Sequence, residues 1–212
     1  MAQRMVHYLF GELICDRLEW LDRERFLTGS LLPDAVEASQ KEMSHFKIKT
    51  DTQVCFDFEK FGYMFSDLIL RDDLYLGYYL HLVEDAFYRA YLYGNRFALP
   101  ATREEVALLH EDYRILNGYV VKKYGLRNCL NDDISLDNEP LCKIAAFRLR
   151  EFADDMACDF SEHCNGKTHF LTENMLDEFV ETYVPLAVEE IVHLKKRKSL
   201  LRVADYAWPR KI

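Results

Sequence analysis

77-GYYLHLVEDAFYRAY-91 sets a histidine and a carboxylate four residues apart inside a run of Tyr, Leu, Val, Phe and Ala. Apolar residues recur here at helical spacing, so the stretch reads as part of a helix over about 72–94, stopped by Gly94-Asn95. On that helix His81 and Asp85 leave one face a single turn apart and can grip one ion. A carboxylate among apolar neighbours is costly to desolvate, so a buried Asp85 calls for a cation. The spacing alone is a weak signal, because an isolated H-x-x-x-D pair is more often an exposed ion pair.

Outward from this stretch, helical periodicity continues over about 5–22, 56–70, 103–124, 141–160 and 172–198. Thr102 with Glu104 and Glu105 marks the start of the helix over 103–124 and Gly125 its end, while Thr172 caps the last helix. The segment 23–56 carries Gly29 and Pro33 and reads as an irregular connection with short helical turns. Residues 126–140 and 161–170 read as loops. With no internal repeat and no linker, the expectation is one all-α domain over 1–212, built from five to seven helices.

Composition agrees. The 212 residues suffice for one large domain. Eight Gly and five Pro are too few for a turn-rich β-barrel, and 50% apolar residues exclude disorder. The 36 acidic against 27 basic side chains, net −9, argue against binding an extended nucleic acid. Cys15, Cys55, Cys129, Cys142, Cys158 and Cys164 form no C-x-x-C and read as reduced core thiols. Glu12, Asp16 and Arg17 interrupt the first apolar stretch, so a signal peptide is not expected, and no window approaches a transmembrane segment of about 20 apolar residues. Together with the thiols this points to a cytoplasmic location. The basic run 194-LKKRKSLLR-202 reads as a solvated helix end.

Asp34, after 29-GSLLP-33, and His45, within 41-KEMSHF-46, join His81 and Asp85 as a set of two histidines and two carboxylates. Such donors suit zinc in tetrahedral geometry with a position open to water, and they serve iron and manganese as well. His7 on the first helix adds to a second ion. Glu42 and His45 form one E-x-x-H, whereas di-iron bundles need two. His110 and Asp112 offer a further ligand or base but diverge on a helix, and Asp112 is the preferred candidate. His163, His169 and His193 read as surface or capping histidines. Tyr8, Tyr78, Tyr79 and Tyr88 fall near enough to the ligands to line a pocket, and Arg89, two turns beyond His81, reaches a phosphate if it faces the site. Phosphate-cradling glycine loops, G-x-S-x-G and Cys-His signatures are absent, which leaves metal-assisted hydrolysis.

The ordered set 7-HYLFGELI-14, 29-GSLLPDA-35, 44-SHF-46 and 77-GYYLHLVEDAF-87 resembles the bacterial zinc-dependent phospholipase C family, in particular its short intracellular branch, over about residues 5–120. The resemblance implies an all-helical fold, shared with the single-strand-specific zinc nucleases of fungi and plants, and hydrolysis of phosphoesters by a cluster of up to three zinc ions. Carried over, Asp34, His45 and His81 are ligands of one zinc, Asp85 bridges to a second, His7 belongs to that second ion, and Asp34 doubles as general base. The family's processed amino-terminal tryptophan and its later histidine and glutamate ligands have no counterpart here, so one or two ions are expected. The implied substrate is a small phosphoester or a phospholipid head group. Two alternatives stand beside this reading. In one, a degenerate member of the family binds a ligand or partner without catalysis. In the other, the histidines are polar groups of a helical core that holds no metal, which predicts His7, His45 and His81 far apart.

Overall fold

A computed structural model describes residues 3–95, 102–131, 133–161 and 164–210. Helix occupies 67% of it and strand 6%, which makes the class all-α. Nine α-helices occur among the described residues: α1 (Arg4–Arg17), α2 (Arg23–Leu31), α3 (Lys41–Ser44), α4 (Phe58–Met64), α5 (Ser66–Arg71), α6 (Asp73–Asn95), α7 (Arg103–Tyr124), α8 (Leu149–Ser161) and α9 (Glu173–Leu194). No described helix is long and apolar enough to cross a membrane.

Helix α6 is the axis. Leu74, Tyr75, Leu76, Tyr78, Leu80, Leu82, Val83 and Ala86 are all buried, the pattern of a helix enclosed on every side. Its main partner is α2, and the two backbones touch. A Cβ on Gly29 would sit 2.0 Å from the Leu74 carbonyl oxygen, and one on Gly77 would sit 2.2 Å from that of Phe26. Gly29 therefore does not break a helix, as its presence in the sequence suggests, but lets two helices meet. Asp22 begins α2 by accepting the Arg25 N–H at 3.1 Å, so the connection expected over 23–56 starts with a capped helix.

The same segment also holds a hairpin. Strand β1 (Lys47–Lys49) pairs antiparallel with β2 (Gln53–Phe56), Ile48 facing Cys55, and β3 (Trp208–Pro209) adds to β2 with Val54 facing Trp208. Thr50 closes the turn, its hydroxyl accepting the Gln53 N–H at 2.9 Å. Other expected boundaries shift for local reasons. The helix expected over 5–22 ends at Arg17, because the chain turns through Leu18–Leu21 toward the Asp22 cap. The helix expected over 56–70 divides at Phe65, the junction of α4 and α5. The helix expected over 141–160 begins only at Leu149, after a 3-10 turn at Pro140–Lys143 and a bridge between Val36 and Phe147. Helix α7 keeps its expected ends, a Thr102–Glu105 capping box and Gly125 at φ 63°.

Of the six cysteines, all free, only Cys15 is buried; Cys55 is half-buried and the other four are exposed, so they are not core thiols as a group.

The α2–α6 contact yields a test with an unambiguous sign. An ordinary helical glycine changed to alanine gains up to about 1 kcal/mol. Gly29→Ala and Gly77→Ala should instead each lose about 2 kcal/mol, because a methyl group must displace backbone rather than a side-chain tip. In thermal unfolding of a chain this size that is a Tm lower by roughly 4–8 °C.

Candidate metal centre

Four pieces of chain converge beside α6. His81, Glu84 and Asp85 share one face of α6 at i, i+3 and i+4. His7 comes from α1, Asp34 from the 3-10 turn Leu32–Asp34 that follows α2, and His45 from the residue ending α3. The three histidines, Glu84 and Asp85 are buried, and the Asp34 side chain is 7% exposed. The rings of His7 and His81 stack with centroids 3.8 Å apart, so the histidines are not dispersed through the core.

Backbone carbonyls set two of the tautomers. His81 Nδ1–H donates to the Ser30 carbonyl at 2.8 Å, and His45 Nδ1–H donates to the Lys41 carbonyl at 2.8 Å. A carbonyl only accepts, so the proton of each neutral ring lies on Nδ1 and Nε2 carries a lone pair. Those two Nε2 atoms are 3.1 Å apart. Two lone pairs at that distance repel unless a cation is shared between them, and a carbonyl behind each imidazole is the usual support of a metal-binding histidine.

The carboxylates complete the set. Asp85 Oδ2 lies 3.5 Å from His45 Nε2 and 3.8 Å from His81 Nε2, and Asp34 Oδ1 lies 3.6 Å from His45 Nε2. A four-coordinate ion with bonds of 2.0–2.1 Å spaces its donors about 3.3–3.4 Å apart, and these separations cluster round that value. The other oxygen of each acid turns toward His7, with Asp34 Oδ2 at 3.8 Å and Asp85 Oδ1 at 3.7 Å from its Nε2. Both aspartates thus straddle two overlapping half-sites that share His81, one holding His45 and the other His7. The donor set fits a divalent ion by both chemistry and spacing.

Burial pushes His45 and His81 down to about 4, against the pull of the nearby aspartates, so both rings are neutral near pH 7. Burial opposes ionisation of Asp34, but His45, His81 and Lys41 overcome it and hold the carboxyl below its usual range. Asp85 is likewise lowered in spite of burial, an effect to which His81, His7 and His45 contribute only in their protonated forms. Burial, with Asp85 and Asp34 nearby, pushes Glu84 well up. Neutral imidazoles beside ionised aspartates are the protonation states that bind metal.

Asp112 does not join the cluster. Its carboxylate accepts the backbone N–H groups of His169, Phe170 and Leu171 at 2.7, 2.7 and 2.9 Å, which ties the approach to α9 onto α7. Glu42 is exposed and pairs with Lys47 and Lys49, so the E-x-x-H reading has no second member. His110 is exposed beside Tyr113, His169 is exposed near Glu111, His193 is half-buried in the last turn of α9, and His163 lies outside the described residues. The Arg89 guanidinium packs over Trp208, 4.0 Å from the ring centroid. Tyr8, Tyr78, Tyr79 and Tyr88 are core residues, and the Tyr78 hydroxyl donates to the Ser44 carbonyl at 2.6 Å to brace the turn that presents His45. Glu84 and Lys41 escape the sequence reading. Glu84 sits three residues after His81, a spacing that shares the face as fully as Asp85 does, and Lys41 donates to Asp34 Oδ1 at 2.8 Å.

A cleft of about 920 Å³ reaches this cluster from the surface between α7, α8 and the turn at Asp34. Asp34 and Lys41 lie on its wall and the three histidines lie behind them. Comparisons with known protein families, curated proteins and solved structures return no match for the chain.

Asp112→Ala separates the structural acid from the ligand set. It should lower stability by about 3 kcal/mol or more, since three N–H groups lose a charged acceptor. Metal content measured on the folded variant should stay at the wild-type value.

Proposed function

We propose that the chain is a metal-dependent phosphoester hydrolase in which His7, Asp34, His45, His81 and Asp85 hold one or two zinc ions. The observation that carries the metal assignment is that His45 and His81, each with a backbone carbonyl at Nδ1, bring their Nε2 atoms within 3.1 Å of each other with two aspartates facing them. The hydrolytic assignment draws on the likeness of these motifs to zinc-dependent phospholipase C and on the cleft that leads to Asp34. Bound zinc supplies an acidified water and neutralises charge on a phosphoryl oxygen.

The protein's part is positioning and proton handling. Lys41 restrains Asp34 through its Oδ1, and Asp34 is the ligand that borders the cleft, so its carboxylate is the group assigned to take the proton of the attacking water. Each half-site has three side-chain donors, His7, Asp34 and His81 in one and His45, His81 and Asp85 in the other, which leaves a coordination position for water or substrate.

Cleft charge favours a small substrate. Arg4 is paired with Asp155 and Asp159, and Arg148 with Glu37 and Glu151, so these cations do not form a free basic track for a polymer. A small phosphoester or a phospholipid head group fits this pattern.

Zinc measured by plasma mass spectrometry, on protein purified without a histidine tag, should be present at one to two equivalents and lost in His81→Ala. Chelation should abolish hydrolysis of bis(p-nitrophenyl) phosphate and zinc should restore it. Asp85→Asn and Asp34→Asn should each weaken metal binding, and Asp34→Asn should stay at least about 100-fold down in rate even when excess zinc restores its metal content. Wild type that binds no divalent ion would overturn the metal assignment, and a loaded protein inert to phosphoesters would favour a ligand-binding relative without catalysis.

A further inference from the structure

Glu84 is a buried acid that the ligand set does not use. Its Oε2 lies 2.9 Å from His7 Nδ1, on the side of the ring opposite the two aspartates, and Oε1 makes no hydrogen bond among the described residues. His7 is equally enclosed, and neither of its nitrogens completes an aligned hydrogen bond. A neutral imidazole has one proton to place. On Nε2 that proton would face Asp34 and Asp85 at 3.8 and 3.7 Å, beyond hydrogen-bond reach. On Nδ1 it faces Glu84 at 2.9 Å.

We propose that Glu84 is a positioning residue: it fixes His7 in the Nδ1–H tautomer and thereby aims the Nε2 lone pair at the half-site formed with Asp34 and Asp85. The inference deepens the metal-centre reading and rests on it. His45 and His81 have backbone carbonyls behind them, whereas His7 has the carboxyl group of Glu84, whose Oε2 faces the ring and which a single substitution can remove. The two half-sites are therefore supported by different chemistry, and removing Glu84 should affect only one of them.

Two measurements on the full chain test this. Long-range proton–nitrogen NMR on histidine-labelled protein should show the His7 proton on Nδ1 in wild type and in Glu84→Gln, whose amide oxygen still accepts, and a shift toward Nε2 in Glu84→Leu. Zinc titration should show one of two equivalents weakened about 10-fold in the Gln variant and nearer 100-fold in the Leu variant. Chelator-treated Glu84→Gln should melt no lower than wild type, because a near-isosteric amide keeps the accepting oxygen in the same buried place; a merely structural Glu84 would instead lower the melting temperature and leave zinc affinity unchanged. In a His7→Ala background, Glu84→Gln should produce no further loss of affinity.

A wild-type His7 proton on Nε2, a tautomer indifferent to Glu84→Leu, or wild-type zinc binding in Glu84→Gln would each overturn the assignment. If wild type takes up no zinc while the tautomer still follows Glu84, the pairing with His7 stands and the metal-centre reading falls.

Discussion

Helices α2 and α6 approach until glycine on each side meets backbone on the other, and the candidate site is a product of that approach. Gly29 against Leu74 and Gly77 against Phe26 bring the end of α2 beside the middle of α6. The Ser30 carbonyl then comes within 2.8 Å of His81 Nδ1, and the 3-10 turn that follows carries Asp34 toward Asp85. One steric condition, the absence of two methyl groups, thus sets both the tautomer of His81 and the position of Asp34. A side chain at either glycine would separate the helices, and His81 would lose its carbonyl and its neighbour Asp34 together.

Packing supplies rigidity, but electrostatics gives the cluster its chemical character. Asp34, Glu84 and Asp85 are gathered with three imidazoles where water is scarce, and burial of so many acids is unfavourable without compensating positive charge. Lys41 reaches Asp34 from the cleft side. Carbonyls hold His45 and His81 with lone pairs inward, so these rings act as acceptors toward the cluster rather than as proton donors. Each choice of partner raises the affinity of the pocket for a cation and raises the cost of leaving it without one. If the proposed ion binds, its uptake is coupled to folding stability, because the donor set is assembled only in the native chain.

The legible parts of the sequence are those decided locally. Both ends of α7 follow from Thr102, Glu105 and Gly125, whose backbone and side-chain chemistry is complete within one turn. His81 and Asp85 are likewise legible because a single helix fixes their relation. His7, Asp34 and His45 enter the candidate set through carboxylate neighbourhood and motif order, and their convergence depends on tertiary packing. Helix α2 is obscured because Gly29 carries the same letter whether it breaks a helix or admits a neighbouring one. The hairpin is obscured because β1 and β2 are three and four residues long and owe their pairing to a third strand some 150 residues away. Asp112 misleads for a related reason: an acid that binds backbone N–H groups and an acid that binds metal look alike until the partner is placed.

Depth explains the division of labour between the cluster and its cleft. The histidines lie behind Asp34 and Lys41, away from competing water, so interactions among them are stronger than at the surface. Asp34 stands at the boundary, with one oxygen held by Lys41 and near His45, and the other directed toward His7. A proton leaving the cluster toward solvent would therefore pass through Asp34, the member of the cluster placed on the cleft wall, while the deeper groups keep the states their partners impose. The proposed combination of ligand and base in the single carboxylate of Asp34 rests on this position. Asp85, with the same chemistry but fully buried, faces His7 with one oxygen and His45 with the other and has no access to the cleft, so the proposal gives it only a bridging part.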